Sequence, residues 1–264
     1  RQHEIKFGVT TASKAVKKEK LVSWSEVSKK LGGFTLNAKQ GELTNESVIG
    51  VLGPNAIGKT SFVRILADDI KQDKGNVDPK VKVSYKPQYL EPSKSLVCDA
   101  LTDAVKNYNT QLIGPLGITP LLSKQLDQLS GGELQRVAIA NCLSKEADLY
   151  LLDEPSAYLD VEQRLIVSKV IKDMVALREA SALVVDHDLL FIDYLSDELV
   201  VFNGEPAVSG EVEGPFAMGK GMNQFLQDLD VTFRQDQETK RPRMNKPGSQ
   251  MDSKQKKQKK YYYS

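Results

Sequence analysis

Four short runs hold almost nothing but apolar residues: Val48-Ile49-Gly50-Val51-Leu52, Leu149-Tyr150-Leu151-Leu152, Ala182-Leu183-Val184-Val185 and Leu199-Val200-Val201-Phe202. None alternates apolar with polar positions, so each predicts a strand buried on both faces, as a parallel sheet covered by helices requires. The stretches between them carry helical spacing: Phe62, Ile65 and Leu66 after the first run, Leu134, Val137, Ala138 and Leu143 before the second, and Leu165, Val170, Val175 and Leu177 after it. Apolar positions three and four apart share one helix face. This order of elements predicts an α/β fold with a mostly parallel core sheet.

Two regions break the rhythm. From Glu4 to Gln40 apolar and polar positions alternate, as in Leu21-Val22-Ser23-Trp24 and Phe34-Thr35-Leu36-Asn37, which predicts an antiparallel β subdomain beside the core. From about Pro92 to Gln128 short helical patterns replace the strand signal, with breaks at Pro115 and Pro120. They predict an inserted helical lobe over about 92–145, including the helix that follows. The domain so defined covers 1–236, and a basic C-terminal segment covers 237–264.

With 264 residues, 40% hydrophobic and 27% charged, the chain can bury a large core without disulfide or metal staples. Its longest apolar stretches are strand-length, far below the roughly 20 residues that span a bilayer. The start, Arg1-Gln2-His3-Glu4-Ile5-Lys6, lacks the apolar core of a secretion signal, so no membrane association and a cytoplasmic location are expected. Cys98 and Cys142 form no metal-binding or disulfide pattern and read as small buried side chains. The formal net charge of +1 hides an uneven distribution: nine Lys or Arg lie between Lys240 and Lys260 against one acid, Asp252. Such an arm is either a solvated segment or a contact for RNA or an acidic protein face.

Gly53-Pro54-Asn55-Ala56-Ile57-Gly58-Lys59-Thr60 has the phosphate-loop pattern, directly after a predicted buried strand and opening a predicted helix. In that context the backbone N–H groups and the helix start cradle an anion. Lys59 reaches the β- and γ-phosphates, Thr60 ligates Mg²⁺, and Ser61 donates near the α-phosphate. Asp153 and Glu154 end the second apolar run, at the carboxyl edge of the sheet where open α/β folds bind ligands. Their chemistry suits divided labour, with Asp153 holding Mg²⁺ and Glu154 acting as general base on the attacking water. Leu129-Ser130-Gly131-Gly132-Glu133 precedes a helix and makes a second anion-binding helix start. One chain does not need two γ-phosphate cradles, so this signature is expected to close over a nucleotide held by another domain.

The ordered set resembles an ABC ATPase domain: the phosphate loop, Gln88 after Tyr85-Lys86-Pro87, the Ser130 signature, Asp153-Glu154, the loop Ser156-Ala157-Tyr158-Leu159-Asp160, and His187 after Val185-Asp186. The resemblance implies that Gln88 touches Mg²⁺ and the attacking water, that His187 contacts the γ-phosphate, and that Asp160 lies across a domain interface. It also implies an aromatic stacked on adenine about 25 residues before the loop lysine. Phe34 has that offset from Lys59, with core packing as its other reading. Ala56 replaces a glycine frequent at its loop position; if the site needs φ > 0, the swap costs about 1 kcal/mol and weakens binding.

The tail narrows the resemblance. Gly221-Met222-Asn223-Gln224-Phe225-Leu226, Thr232-Phe233-Arg234, Arg241-Pro242-Arg243-Met244-Asn245-Lys246-Pro247-Gly248-Ser249 and Tyr261-Tyr262-Tyr263 are similar to the C-terminal end of the ABC-E family of ribosome-recycling factors, also called RNase L inhibitors. That family implies ATP and Mg²⁺ as ligands, with ribosomal subunits and termination factors as partners. It also carries an N-terminal ABC ATPase half and an iron–sulfur domain with eight cysteines, neither of which this sequence contains, so the chain reads as a C-terminal half without an iron–sulfur cluster. The competing expectation is the ATPase subunit of an ABC membrane transporter. The basic tail favours an RNA-rich partner over that one.

Overall fold

The computed structural model describes residues 19–78, 80–87, 93–236 and 242–263. The chain opens with β1 (Lys20–Trp24), β2 (Val27–Leu31), β3 (Phe34–Ala38), β4 (Gly41–Thr44) and β5 (Val48–Leu52), and then α1 (Lys59–Leu66). β6 (Val77–Asp78) and β7 (Val83–Lys86) lead to the helical lobe. The lobe comprises α2 (Val97–Ala100), α3 (Thr102–Asn107), a π-turn at Asn109–Ile113, two 3₁₀ turns and α4 (Gly131–Ser144). β8 (Leu149–Asp153), α5 (Val161–Leu177), β9 (Ser181–Val185) and α6 (Leu189–Leu195) complete the α/β core. β10 (Glu198–Glu205), β11 (Ser209–Ala217), α7 (Met218–Asp228), β12 (Phe233–Gln235), β13 (Pro242–Met244) and α8 (Gln250–Lys257) follow.

Eight strands form one sheet in the order β2-β3-β11-β10-β5-β9-β8-β7, parallel from β10 through β7 and mixed at the β2 edge. β4, β1 and β6 form a separate antiparallel sheet. β2 and β3, expected in the antiparallel subdomain, therefore belong to the main sheet, where β3 pairs parallel to β11. All four apolar runs are strands of its parallel part. Val48, Leu52, Tyr150, Leu152, Ala182 and Val184 point into a cluster shared with the lobe and α4 to α6. Ile49, Val51, Leu149, Leu151, Leu183 and Val185 point the other way, toward α1 and the small sheet. Neighbours of opposite direction are both buried, so no alternation can show in the sequence.

The basic tail is packed against the body. Tyr262 is buried in the larger cluster and its hydroxyl hydrogen-bonds Asp193 of α6. Buried Asp252 accepts from Thr232 Oγ1 at 2.7 Å and from the Gly248 amide at 2.9 Å, and Asn245 Nδ2 donates to the same threonine oxygen at 2.9 Å. Lys254, Lys257, Lys259 and Lys260 stay exposed. From Pro242 onward the charge run is thus the outer face of a folded segment anchored by its lone acid and a tyrosine. Cys142 is buried as expected, whereas Cys98 is only partly so.

Candidate nucleotide site

The loop between β5 and α1 starts where a strand buried on both faces leaves the sheet. Gly58 caps α1 at φ +90°, and a Cβ there would stand 2.9 Å from the Phe34 ring, so this turn needs glycine. Ala56 sits at φ +58°, where a side chain costs about 1 kcal/mol relative to glycine, which is the condition under which the sequence predicts a weakened loop. Lys59 Nζ folds back onto the carbonyls of Gly53 at 2.8 Å and Pro54 at 2.9 Å. Burial pushes its pKa down, against the pull of the Asp153 and Glu154 carboxylates.

A cleft of about 710 Å³ joins residues from distant parts of the chain: Asn55 to Ser61, Phe34, Asp153, Glu154 and His187. Its volume falls in the range of small-ligand sites. Phe34 is half-buried and rests beside the loop, so it presents ring surface to the cleft as well as to Gly58. Gly53 and Pro54 flank the cleft through the carbonyls that hold Lys59. Asp153 lies at the end of β8, its pKa raised by burial and by Glu154, with Lys86 and Lys59 opposing. The Tyr85 hydroxyl reaches Asp153 Oδ2 at 3.4 Å and also interacts with Thr60. His187 Nε2 lies 3.1 Å from Asn55 Oδ1 and 3.4 Å from Glu154 Oε1. Gln88 lies outside the described residues.

Glu154 itself has φ +47°, a conformation that costs a non-glycine residue about 1–3 kcal/mol. Its surroundings enforce it: the Glu154 amide donates to Val185 O at 2.7 Å, and Gln135 Nε2 donates to the Glu154 carbonyl at 2.6 Å. Positive φ also occurs at Glu46, Asp68 and Glu179; at Glu154 it coincides with a place in the cleft lining.

The signature residues stand elsewhere. Ser130 caps α4, its Oγ accepting from the Glu133 amide at 3.3 Å while Glu133 Oε2 accepts from the Ser130 amide at 2.8 Å, a reciprocal capping box. Those bonds from Ser130 hold the Glu133 carboxyl below the usual range. Ser130, Gly131, Gly132 and Glu133 line a second recess with Tyr158 and Asp160, and no phosphate-loop residue reaches it. Leu129 packs its side chain on the larger core cluster. A Cβ at Gly132 would meet the Tyr158 carbonyl at 2.9 Å, so the glycine lets the 156–160 loop lie against the helix start.

Four supporting residues escaped the sequence reading. Buried Asp186 accepts from the Ser156 amide at 3.0 Å and from its hydroxyl at 2.8 Å, tying the 156–160 loop to the segment carrying His187. Arg164 pairs with Asp188 and donates to the Leu159 carbonyl at 3.0 Å, reinforcing the same link. Gln135 and Lys86 hold the Glu154 turn. A charged or amide residue inside an apolar pattern is the one trace they leave in the sequence.

A phosphate loop opening a helix after β5, paired acids closing β8 two strands along the same parallel sheet, and a capped Ser-Gly-Gly helix start in a separate recess define an ABC-type nucleotide-binding domain. The ABC transporter family profile matches residues 36–157. An uncharacterized ABC transporter ATP-binding protein of Methanocaldococcus jannaschii is 51% identical over 250 residues, covering 92% of this chain and 42% of that protein. The chain thus spans less than half the length of that relative. ABC transporter E family member 3 of Arabidopsis thaliana is 44% identical over 154 residues, covering 53% of this chain and 85% of that protein. The crystal structure of an archaeal ribosome recycling factor with the archaeal ribosomal stalk protein aP1 superposes with a TM-score of 0.88 at 46% identity, over 100% of this chain and 52% of that one. The chain belongs to the E family of ABC proteins. No helix among the described residues is long and apolar enough to cross a membrane.

Proposed function

We propose that this chain binds MgATP in the cleft beside β5 and β8 and hydrolyses it together with a second nucleotide-binding domain, the N-terminal ABC half of the same protein. The observation that supports this reading is the separation of two phosphate-facing features, with Lys59 in one recess and Ser130 in another. A single nucleotide uses one cradle; two in separate recesses suit a pair of domains that exchange them.

Magnesium fits the residues present. Thr60 and Asp153 offer hard oxygen donors, and Tyr85 interacts with both side chains. Mg²⁺ is commonly held by one or two protein oxygens plus phosphates, which suits a site without a dense carboxylate cluster. When bound, the ion neutralises charge on the β- and γ-phosphates. Lys59 leaves the Gly53 and Pro54 carbonyls to meet those phosphates, and Phe34 offers its ring face to adenine. Glu154 accepts the proton of the attacking water as general base, His187 orients the γ-phosphate from beside it, and Gln88 contributes to the same water. Asp160 and the Ser130 signature serve the partner's nucleotide.

The work done by this cycle is the separation of ribosomal subunits in the cytoplasm, supported by the match to an archaeal ribosome recycling factor. Ribosomes incubated with the full-length protein and ATP should separate into subunits on a sucrose gradient, and should stay intact with Glu154→Gln. Intact ribosomes with the unsubstituted protein, in the presence of termination factors, would overturn this assignment.

A further inference from the structure

Strand β7 ends in a lysine where an apolar residue would be expected. Lys86 is only 1% exposed and shares a face with Ser84, whose hydroxyl donates to the Cys142 carbonyl of α4 at 2.9 Å. Its side chain therefore runs beneath α4 instead of out to water. The ammonium donates to the Asp153 carbonyl at 2.7 Å and to the Pro87 carbonyl at 3.0 Å. Burial pushes its pKa down to about 8, while the carboxylates of Asp153, Asp186 and Glu154 pull it back up. A cation held out of water is destabilising unless well-placed partners compensate, so a neutral residue of the same shape would pack there at lower cost. The lysine has a use other than packing.

That use lies one peptide away. Glu154 is held at φ +47° by hydrogen bonds from three elements: its amide reaches Val185 of β9, Gln135 of α4 reaches its carbonyl, and Lys86 of β7 reaches the carbonyl of Asp153 before it. Two consecutive peptide units are thus fixed from three directions. A strained turn persists only when its surroundings over-determine it.

We propose that Lys86 is a positioning residue that clamps the Asp153–Glu154 turn to the exit of β7, fixing where the Glu154 carboxylate stands relative to the attacking water. The inference rests on Glu154 acting as the general base. Removing the ammonium frees the Asp153 carbonyl and lets the turn relax toward ordinary φ, which moves the carboxylate without touching the phosphate loop. Small displacements of a general base lower the chemical step while leaving ground-state binding in place.

The test uses the full-length protein with Lys86→Met, which keeps the shape and deletes the donors, Lys86→Arg, which keeps donors, and Ser84→Ala as a packing control on the same face. Lys86→Met should lower kcat roughly tenfold or more, leave the Kd for a fluorescent ATP analogue within about threefold, and speed hydrogen exchange of the Glu154 amide without nucleotide. Lys86→Arg should recover part of both losses, and Ser84→Ala should cause neither. Unchanged kcat and exchange in Lys86→Met, or equal effects from Ser84→Ala, would overturn the clamp. An unsubstituted protein that turns over no ATP would instead overturn the nucleotide reading, and the positioning role with it.

Discussion

His187 Nε2 lies 3.4 Å from Glu154 Oε1, across the gap between the ends of β8 and β9. The pair joins the residue proposed to take the proton to the residue proposed to hold the γ-phosphate. Both flanks of His187 are tied to the 156–160 loop, Asp186 directly to Ser156 and Asp188 through Arg164, which donates to the Leu159 carbonyl. Movement of that loop by a docked partner would therefore be felt at both residues.

Lys59 and Glu154 should separate binding from chemistry. Lys59→Ala deletes the cation that faces the phosphates and should lose most MgATP affinity, whereas Glu154→Gln keeps size and hydrogen bonding and should bind normally. Loss of a general base costs about 10²–10⁴-fold in rate. Equilibrium titration with a fluorescent ATP analogue, beside steady-state phosphate release, distinguishes them; equal affinity loss in both variants would refute the roles.

Ala56 holds φ +58° in the loop, so Ala56→Gly should relieve strain. The gain is at most about 1 kcal/mol, because glycine also adds freedom to the unfolded chain. For a domain of this size, that corresponds to a melting temperature higher by about 2–4 °C. Calorimetry of the two proteins without nucleotide reads it directly, and a lower melting temperature for Ala56→Gly would show that the loop is not strained.

Much of this site was legible in the sequence because its parts are local. A strand buried on both faces followed by a glycine-rich turn and a helix needs only adjacent residues, so Val48 to Leu66 was readable as one unit. The same holds for the Ser130–Glu133 capping box, whose partners lie three residues apart. Lys86 and Asp153 are 67 positions apart, and the lysine is meaningful only once β7 and β8 are paired. The tail's packing was illegible for a related reason. Composition registers nine cations and cannot show that Asp252, Asn245 and Tyr262 turn inward.

The tail should accordingly contribute to stability. Tyr262→Ala removes a buried ring and the hydrogen bond to Asp193, and should cost about 3 kcal/mol. Chemical denaturation should show this loss while nucleotide affinity stays within about threefold, since none of the tail's described residues lines the cleft beside Lys59. A variant as stable as the unsubstituted protein would return the tail to a loosely attached segment.

Asp252 gives that packing a pH signature. Hydrogen bonds from Thr232 and Gly248 hold its carboxyl below the usual range, so its stabilising effect is complete above about pH 4 and disappears as pH falls through the lowered value. Asp252→Asn should lower the melting temperature near neutrality and shrink the difference between the two proteins in acid. A constant difference from pH 7 down to pH 2.5, each approximate to half a unit, would exclude a role for ionisation.

The two separated cradles make the strongest demand. If Lys59 and Ser130 serve different nucleotides, this chain alone supplies only half of each site's electrostatic stabilisation of the transferring phosphoryl group. Isolated, it should bind ATP and turn it over slowly, and adding the N-terminal ATPase half should raise the rate. Ser130→Arg fills the recess beside Tyr158 with a bulky cation and should damage the partner's site. It should leave ATP binding to this chain's own loop unchanged, because no phosphate-loop residue borders that recess. Steady-state ATPase measured against protein concentration, with and without the second half, checks both statements. Full activity that is first order in this chain and indifferent to the partner would defeat the shared-site reading, because it would require one cleft to complete its own transition-state contacts.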